Sequence, residues 1–284
     1  KKVLSLEPDN EIARAQKLHQ LAHICEWEAI EEDRLLIPRL GVNKKFINPF
    51  LLLSLEDNPD NHRKRSEVYG KSNLIFTQLP LIQKPLKKPS RIRIGYFSSD
   101  FKEHPVSYLL AGVIEQHNRD YFEIFAYSFI SKKQDELQKR LKKTFNVFND
   151  VSEMSDKEVA SLARQDNIDI AIDLNGYTQN SRSRIFAYRA APIQINFLGY
   201  PGTMGTNFID YIIADQNIIP IESQKFFSEK LIYLPNTYMP TDNTRKFSED
   251  TISRNEMGLP EDGFVFCCFN NNYKITLVEF NIWM

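Results

Sequence analysis

The sequence predicts an α/β protein with a doubly wound, mainly parallel sheet, set behind a shorter helical region. Three observations carry that expectation. Beyond Arg91, short apolar runs alternate with amphipathic segments of about ten residues, the rhythm of strand–helix–strand units. Several of these runs break into loops of small, amide or cationic residues, as strands do at the carboxyl edge of an open sheet. Before Arg91 the periodicity is helical, and a stretch rich in proline and lysine separates the two parts.

The 284 residues suffice for one large or two ordinary domains, and 42% hydrophobic with 26% charged residues is the balance of a water-soluble globular chain. A formal net charge of −1 gives no electrostatic case for nucleic acid or an anionic membrane as partner. No apolar run reaches the roughly 18 residues of a membrane span, and Lys1-Lys2-Val3-Leu4 is followed by Glu7 and Asp9 rather than by the apolar core of a signal peptide. Cys25, Cys267 and Cys268 have neither metal-ligand nor disulfide spacing, which points to a reduced compartment, with the adjacent pair as core residues of a strand.

Taken in order, residues 1–41 read as helical. Pro8-Asp9-Asn10 is a start signal, and Ile12, Ala15, Leu18, Leu21, Ala22 and Cys25 follow at helical spacing. A second helix is expected over 26–40, and a third after the turn at Asn58-Pro59-Asp60. Pro80, Pro85 and Pro89, interleaved with Lys84, Lys87, Lys88, Arg91 and Arg93, form a stiff solvated linker. Strands are expected at 92–97, 122–128, 168–174, 193–198, 211–214, 230–234 and 264–269, with helices at 106–117, 135–145, 156–165 and 182–188. Right-handed crossovers then put every strand–helix loop on one edge.

Four loops follow: 98–105, Asn175-Gly176-Tyr177-Thr178, Gly199-Tyr200-Pro201-Gly202-Thr203, and Asn270-Asn271-Asn272-Tyr273-Lys274. None contains the glycine pattern of a dinucleotide fold or of a phosphate-binding P-loop. His104 stands before Pro105, a favoured first helical residue. It can cap that helix, or act as a general base kept neutral by nearby backbone donors. Tyr200-Pro201-Gly202-Thr203 can be an ordinary type II turn or a backbone held close to a ligand. Lys274 can be a solvated charge or a phosphate donor. Asp166, Asp169 and Asp173 flank one strand, and no carboxylate pair is spaced for acid/base work.

Together the loops are more specific than any one of them. The runs Ile94-Gly-Tyr-Phe-Ser-Ser-Asp-Phe-Lys-Glu-His-Pro-Val-Ser107, Asp173-Leu-Asn-Gly-Tyr-Thr178, Ala191-Pro-Ile-Gln-Ile-Asn-Phe-Leu-Gly-Tyr-Pro-Gly-Thr-Met-Gly205, Ser228-Glu-Lys-Leu-Ile-Tyr-Leu-Pro235 and the stretch from Gly258 through Lys274 closely resemble the protein O-linked N-acetylglucosamine transferase family, with its plant and bacterial members. The resemblance covers about residues 91–284. More loosely, Ser5-Leu-Glu-Pro-Asp-Asn10, Cys25-Glu-Trp27 and the 51–69 stretch resemble the end of a tetratricopeptide array and its helical link.

That resemblance implies a Rossmann-like N-terminal lobe of a glycosyltransferase B fold. It implies the following layout: 1–78 tetratricopeptide-like end and linker helices, 79–90 Pro/Lys linker, 91–258 the N-terminal catalytic lobe, and 259–284 the start of a nucleotide-sugar lobe. The activity implied is inverting, metal-independent transfer of N-acetylglucosamine from UDP-N-acetylglucosamine to Ser or Thr hydroxyls of acceptor proteins recruited by the array, with no separate cofactor. The alternatives are a non-catalytic protein-binding module, or a transferase of another sugar such as fucose from GDP-fucose. By resemblance His104 is the base, with Asp166 a weaker candidate, and Lys274 holds the diphosphate. Asn271, Tyr273, Asn175, Tyr177, Thr178, Gly199, Tyr200, Pro201, Gly202 and Thr203 line the donor and substrate site. Asn271 stands where some relatives carry Gln, and Asp169 where some carry His, which leaves the donor sugar open. The protein is expected inside the cell, cytoplasmic or, in a eukaryote, nucleocytoplasmic. Residues 276–284 read as an interrupted amphipathic helix, so a longer parent is expected, and the isolated chain is expected not to turn over.

Overall fold

The structure is a computed structural model that describes residues 2–43, 45–73, 89–130, 135–246 and 248–284. Most of the expected Pro/Lys linker, residues 79–88, lies outside them. The N-terminal region holds α1 (Lys2–Leu6), α2 (Glu11–His23), α3 (Trp27–Glu31) and α4 (Pro59–Asn73), with 3-10 turns at Arg34–Arg39 and Pro49–Leu52. Asn10 caps α2 by accepting from the Ala13 amide at 2.9 Å, as the start signal predicts. The single helix expected over 26–40 is broken instead. Pro38 lies within the 3-10 turn, and the carbonyls of Ile37 and Leu40 turn to the buried Arg65 guanidinium, each at 2.8 Å.

The sheet has seven strands: β1 (Ile92–Ser98), β2 (Phe122–Ser128), β3 (Val147–Asp150), β4 (Ile170–Asp173), β5 (Ile193–Asn196), β6 (Tyr211–Ala214) and β7 (Lys230–Tyr233). Their order is β3-β2-β1-β4-β5-β6-β7, and every pair is parallel. The helices that cross between strands are α5 (Pro105–Glu115), α6 (Glu136–Thr144), α7 (Asp156–Gln165) and α8 (Arg184–Ala187). Strand alternation divides the core in two. Ile94, Tyr96, Ile124 and Ala126 face α5 and α6, which bury Leu110, Ile114, Leu137 and Leu141 there. Phe97, Phe125 and Tyr127 face α7 and α8, which bury Val159, Ala163, Ile185 and Phe186. Phe50, Leu53 and Tyr69 of the N-terminal region pack onto this second core, so that region is part of the same body.

The expected bounds hold to the residue for 122–128, 156–165 and 211–214. Asp135 caps α6, and Ser155 with Glu158 forms a capping box on α7. β3 was not expected: it is a four-residue, partly exposed edge strand with little hydrophobic signal. The strand expected at 264–269 does not form, because among the described residues no neighbouring strand offers it a ladder. Phe264, Phe266 and Phe269 are 82%, 88% and 96% exposed, and Cys267 and Cys268 are exposed free thiols rather than core residues. The last helix, α9 (Leu277–Trp283), follows a 3-10 turn at Asn272–Lys274 and docks on the N-terminal helices. There the Trp27 indole donates to the Ile275 carbonyl at 3.0 Å, and its ring lies 5.0 Å from that of Phe280. Among the described residues no helix is long and apolar enough to cross a membrane.

Candidate functional site

In an open parallel sheet the ligand crevice forms where neighbouring strands send their chains to opposite faces. Here that switch point lies between β1 and β4, since β1 pairs with β2 on one side and β4 on the other. The loops leaving these strands meet there, held by one buried amide. Asn175 accepts from the Ser99 amide at 2.8 Å through Oδ1, and through Nδ2 donates to Asp100 Oδ2 at 2.7 Å and Ser99 Oγ at 3.0 Å. A fully buried Asn with these partners satisfied fixes the two loops rigidly.

His104 ends the first loop as the N-cap of α5, with Pro105 in the first turn. Its Nδ1 accepts from the Val106 amide at 3.3 Å and lies 3.7 Å from Asp100 Oδ2, and the side chain is 37% exposed. The capping reading of His104 is therefore real, and among the described residues Nε2 has no hydrogen-bond partner.

The third loop is pressed into the second. A Cβ on Gly199 would stand 1.8 Å from the Leu174 carbonyl oxygen, so no other residue fits there. Leu198, just before it, takes a positive φ of 74°. Gly176 has φ +55°, and a Cβ there would meet that of Tyr200 at 2.4 Å. These contacts sort the expected binding residues. Asn175, Tyr177, Tyr200 and Thr203 are buried in loop packing and hydrogen bonds. The Tyr177 hydroxyl donates to the Met204 carbonyl at 2.6 Å, and the Thr203 hydroxyl to Glu229 at 2.6 Å. Thr178, Gly199 and Gly202 are half-buried and Pro201 is exposed. Beside them a shallow open recess is walled by Leu198, Pro201, Ile213, Ile218 and Tyr238.

The fourth loop does not join these three through any hydrogen bond or ion pair among the described residues. Tyr273 rests on α2, its ring 5.5 Å from His19 and 4.8 Å from His23, and 6.1 Å from Phe50. The 48–52 segment separates the two groups, since Asn48 donates to the Tyr177 carbonyl at 3.1 Å while Phe50 faces Tyr273. Asn271 and Lys274 are exposed, with the ammonium 6.0 Å from the Tyr273 ring.

Asp166, the weaker base candidate, is corrected by topology. It precedes β4 and so lies at the amino edge of the sheet, where it accepts from the Tyr127 hydroxyl at 2.6 Å.

Two carboxylates were given no site role in the sequence, Asp100 and Asp173. Asp100 stands four residues before His104 in one loop, a spacing that could have flagged it. Asp173 ends β4; its Oδ1 accepts from the amides of Asn175 and Gly176 at 2.9 and 3.0 Å, and its Oδ2 is buried without a hydrogen-bond partner among the described residues. Burial pushes this carboxyl up to about 6, against the two amide donors. A carboxyl raised on folding contributes stability that is fully present below its ordinary value of 3.8 and is lost as pH rises through about 6. The loss amounts to about 3 kcal/mol. Asp173→Asn keeps the acceptor and removes the charge. The variant is expected to gain about 1–3 kcal/mol on its parent at pH 7.5 and little at pH 4. Urea unfolding of both proteins at the two pH values checks this, and a pH-independent difference would refute it.

The family model of glycosyl transferase family 41 matches residues 64–251. The chain is 34% identical over 290 residues to the probable UDP-N-acetylglucosamine--peptide N-acetylglucosaminyltransferase SEC of Arabidopsis thaliana, covering 94% of this chain and 29% of that protein. It is 37% identical over 180 residues to the UDP-N-acetylglucosamine--peptide N-acetylglucosaminyltransferase of Caenorhabditis elegans, covering 63% of this chain and 15% of the relative. A solved mutant of Thermobaculum terrenum O-GlcNAc transferase superposes with a TM-score of 0.76 at 26% identity, over 99% of this chain and 53% of that one. The chain thus spans under a third of the plant relative and about half of the bacterial structure.

Proposed function

Because this chain belongs to glycosyl transferase family 41, we propose that it forms the acceptor-side lobe of an enzyme that moves N-acetylglucosamine from UDP-N-acetylglucosamine to Ser or Thr hydroxyls of proteins. The observation that carries the proposal is the convergence of the β1, β4 and β5 loops at the switch point, with His104 half-exposed at its mouth, all within the family match. In this reading 91–258 is the first catalytic lobe and 259–284 begins the nucleotide-sugar lobe. Residues 1–78 end a tetratricopeptide array that brings acceptor proteins, 79–90 is the linker between them, and the enzyme works inside the cell.

Inverting transfer needs the hydroxyl to attack the anomeric carbon in line with the departing diphosphate. One group must take the hydroxyl proton, and another must hold the charge that grows on the leaving phosphate. We assign the first task to His104. Lys274 takes the second, supplying the charge that a divalent cation would otherwise bring, with Asn271 and Tyr273 beside it. Thr178, Gly199, Pro201 and Gly202 offer backbone and small side chains to the sugar, on the frame that Asn175, Tyr177, Tyr200 and Thr203 hold in place.

The test is UDP release from UDP-N-acetylglucosamine by the product of the native reading frame, with and without a Ser/Thr peptide, and with GDP-fucose as the competing donor. Peptide-dependent release from the first donor alone is expected; release from GDP-fucose alone would move the protein to the other sugar, and release from neither would leave a binding module. In the same assay Lys274→Ala is expected to lower kcat by about 10²–10³-fold. Parental kcat in that variant would remove Lys274 from the chemistry.

A further inference from the structure

The Asp100 carboxylate is nearly buried, yet among the described residues it has no Lys or Arg partner. His104 is the one side chain among the described residues that stands within ion-pairing distance of it. A buried carboxylate is costly unless its oxygens are engaged. Oδ1 accepts from the Ser99 hydroxyl at 3.0 Å, and Oδ2 accepts from Asn175 at 2.7 Å with His104 Nδ1 standing 3.7 Å away. Nδ1 of His104 therefore faces two competitors: a donor, the Val106 amide at 3.3 Å, and an acceptor, Asp100 Oδ2. They demand opposite tautomers. Accepting from Val106 puts the proton on Nε2, and an imidazole in that form has no lone pair to offer a hydroxyl. Donating to Asp100 puts the proton on Nδ1 and frees Nε2 as a base.

We propose that Asp100, fixed by Asn175, is the positioning residue that selects the Nδ1–H tautomer of His104 and so makes it a base. The inference rests on the reading of His104 as the group that takes the hydroxyl proton. A hydrogen bond to a carboxylate is roughly twice as strong as one between neutral groups, so the anion wins over a 3.3 Å backbone donor. The 3.7 Å separation closes by a small turn of the ring, as catalytic hydrogen bonds commonly do when substrate binds. In the step itself the hydroxyl oxygen bonds to the anomeric carbon, the bond from that carbon to the diphosphate oxygen breaks, and its electron pair leaves with UDP. The hydroxyl proton goes to Nε2, and Asp100 faces the imidazolium that results.

The tautomer is read directly, without activity, by long-range ¹⁵N–¹H correlation on this chain labelled at histidine, at mildly alkaline pH. The chain has 5 histidines, and the His104 signals are those missing from His104→Asn. Nδ1–H is expected in the parent and Nε2–H in Asp100→Asn, whose oxygen still accepts from Asn175 while its amide nitrogen donates to a turned Ser99 hydroxyl, without the charge. Nε2–H in the parent overturns the proposal, even if the variant does not fold; Nδ1–H in both overturns it as well. In the product of the native reading frame, Asp100→Asn is expected to lower kcat by about 10²-fold or more with KM little changed. Should the tautomer respond to Asp100 while His104→Asn keeps parental turnover, the pairing stands and the base assignment fails.

Discussion

Replacing His104 by alanine is expected to lower kcat by about 10²–10⁴-fold in the product of the native reading frame, the range for loss of a positioned general base. The structure supplies a control that separates chemistry from folding. Whenever Nδ1 is unprotonated His104 also caps α5 through the Val106 amide, so alanine removes that cap as well as a base. Lost caps cost about 0.5–2 kcal/mol, enough to confuse a simple activity comparison. His104→Asn restores a strong capping side chain without a basic nitrogen. It is expected to match the parent in thermal unfolding while sharing the full loss of kcat. Parental turnover in His104→Asn would mean that the residue only ends a helix, the reading its sequence position left open.

The largest stability effect is expected from Arg65→Ala, a loss of about 3–5 kcal/mol in urea or thermal unfolding. Arg65 lies on α4 and is fully buried. Its guanidinium donates to the carbonyls of Leu40 and Ile37 and forms an ion pair with Glu56 at 2.5 Å. Truncation leaves the Glu56 carboxylate without its cation and the Leu40 carbonyl without the Arg65 donor, while the Ile37 carbonyl keeps only the Leu40 amide, and the penalty for such orphans exceeds what the intact pair contributes. Against a typical total stability of about 5–15 kcal/mol, this would leave the chain marginal. The consequence reaches the site, because α4 supports the third loop: a Cβ on Gly205 would stand 2.4 Å from the Glu67 amide nitrogen, and one on Gly70 2.6 Å from the Thr206 methyl. A loss under about 1 kcal/mol would show that water reaches the pair.

Nothing local in the sequence announces Arg65. A single arginine in a charged helix reads as a solvated face, and only the fold of 34–41 over it turns it inward. Asp100 and Asp173 were missed for a related reason. Each was visible as a polar residue at a strand end, where loop carboxylates are common, and only burial makes them unusual. The expected site residues divide along the same line. His104, Thr178, Gly199, Pro201 and Gly202 keep some exposure, whereas Tyr177 and Tyr200, equally conspicuous in the motif, are buried packing.

Local sequence settled the alternation of strands and helices, the start of α2 at Asn10, and the gathering of the strand–helix loops on one edge. These follow from short-range rules: side-chain periodicity, the unpaired amides at a helix start, and the fixed hand of a parallel crossover. Tertiary structure alone decided which loop residues face solvent and that 264–269 stays unpaired. It also decided that Asn175 holds Asp100 beside His104 and that Asp166 stands on the far edge. Each of these depends on groups far apart in the chain, as Ser99 and Asn175 are at a separation of 76 residues. Periodicity says which face a residue takes, but a hydrogen bond or a strand ladder exists only when packing brings its second partner within reach.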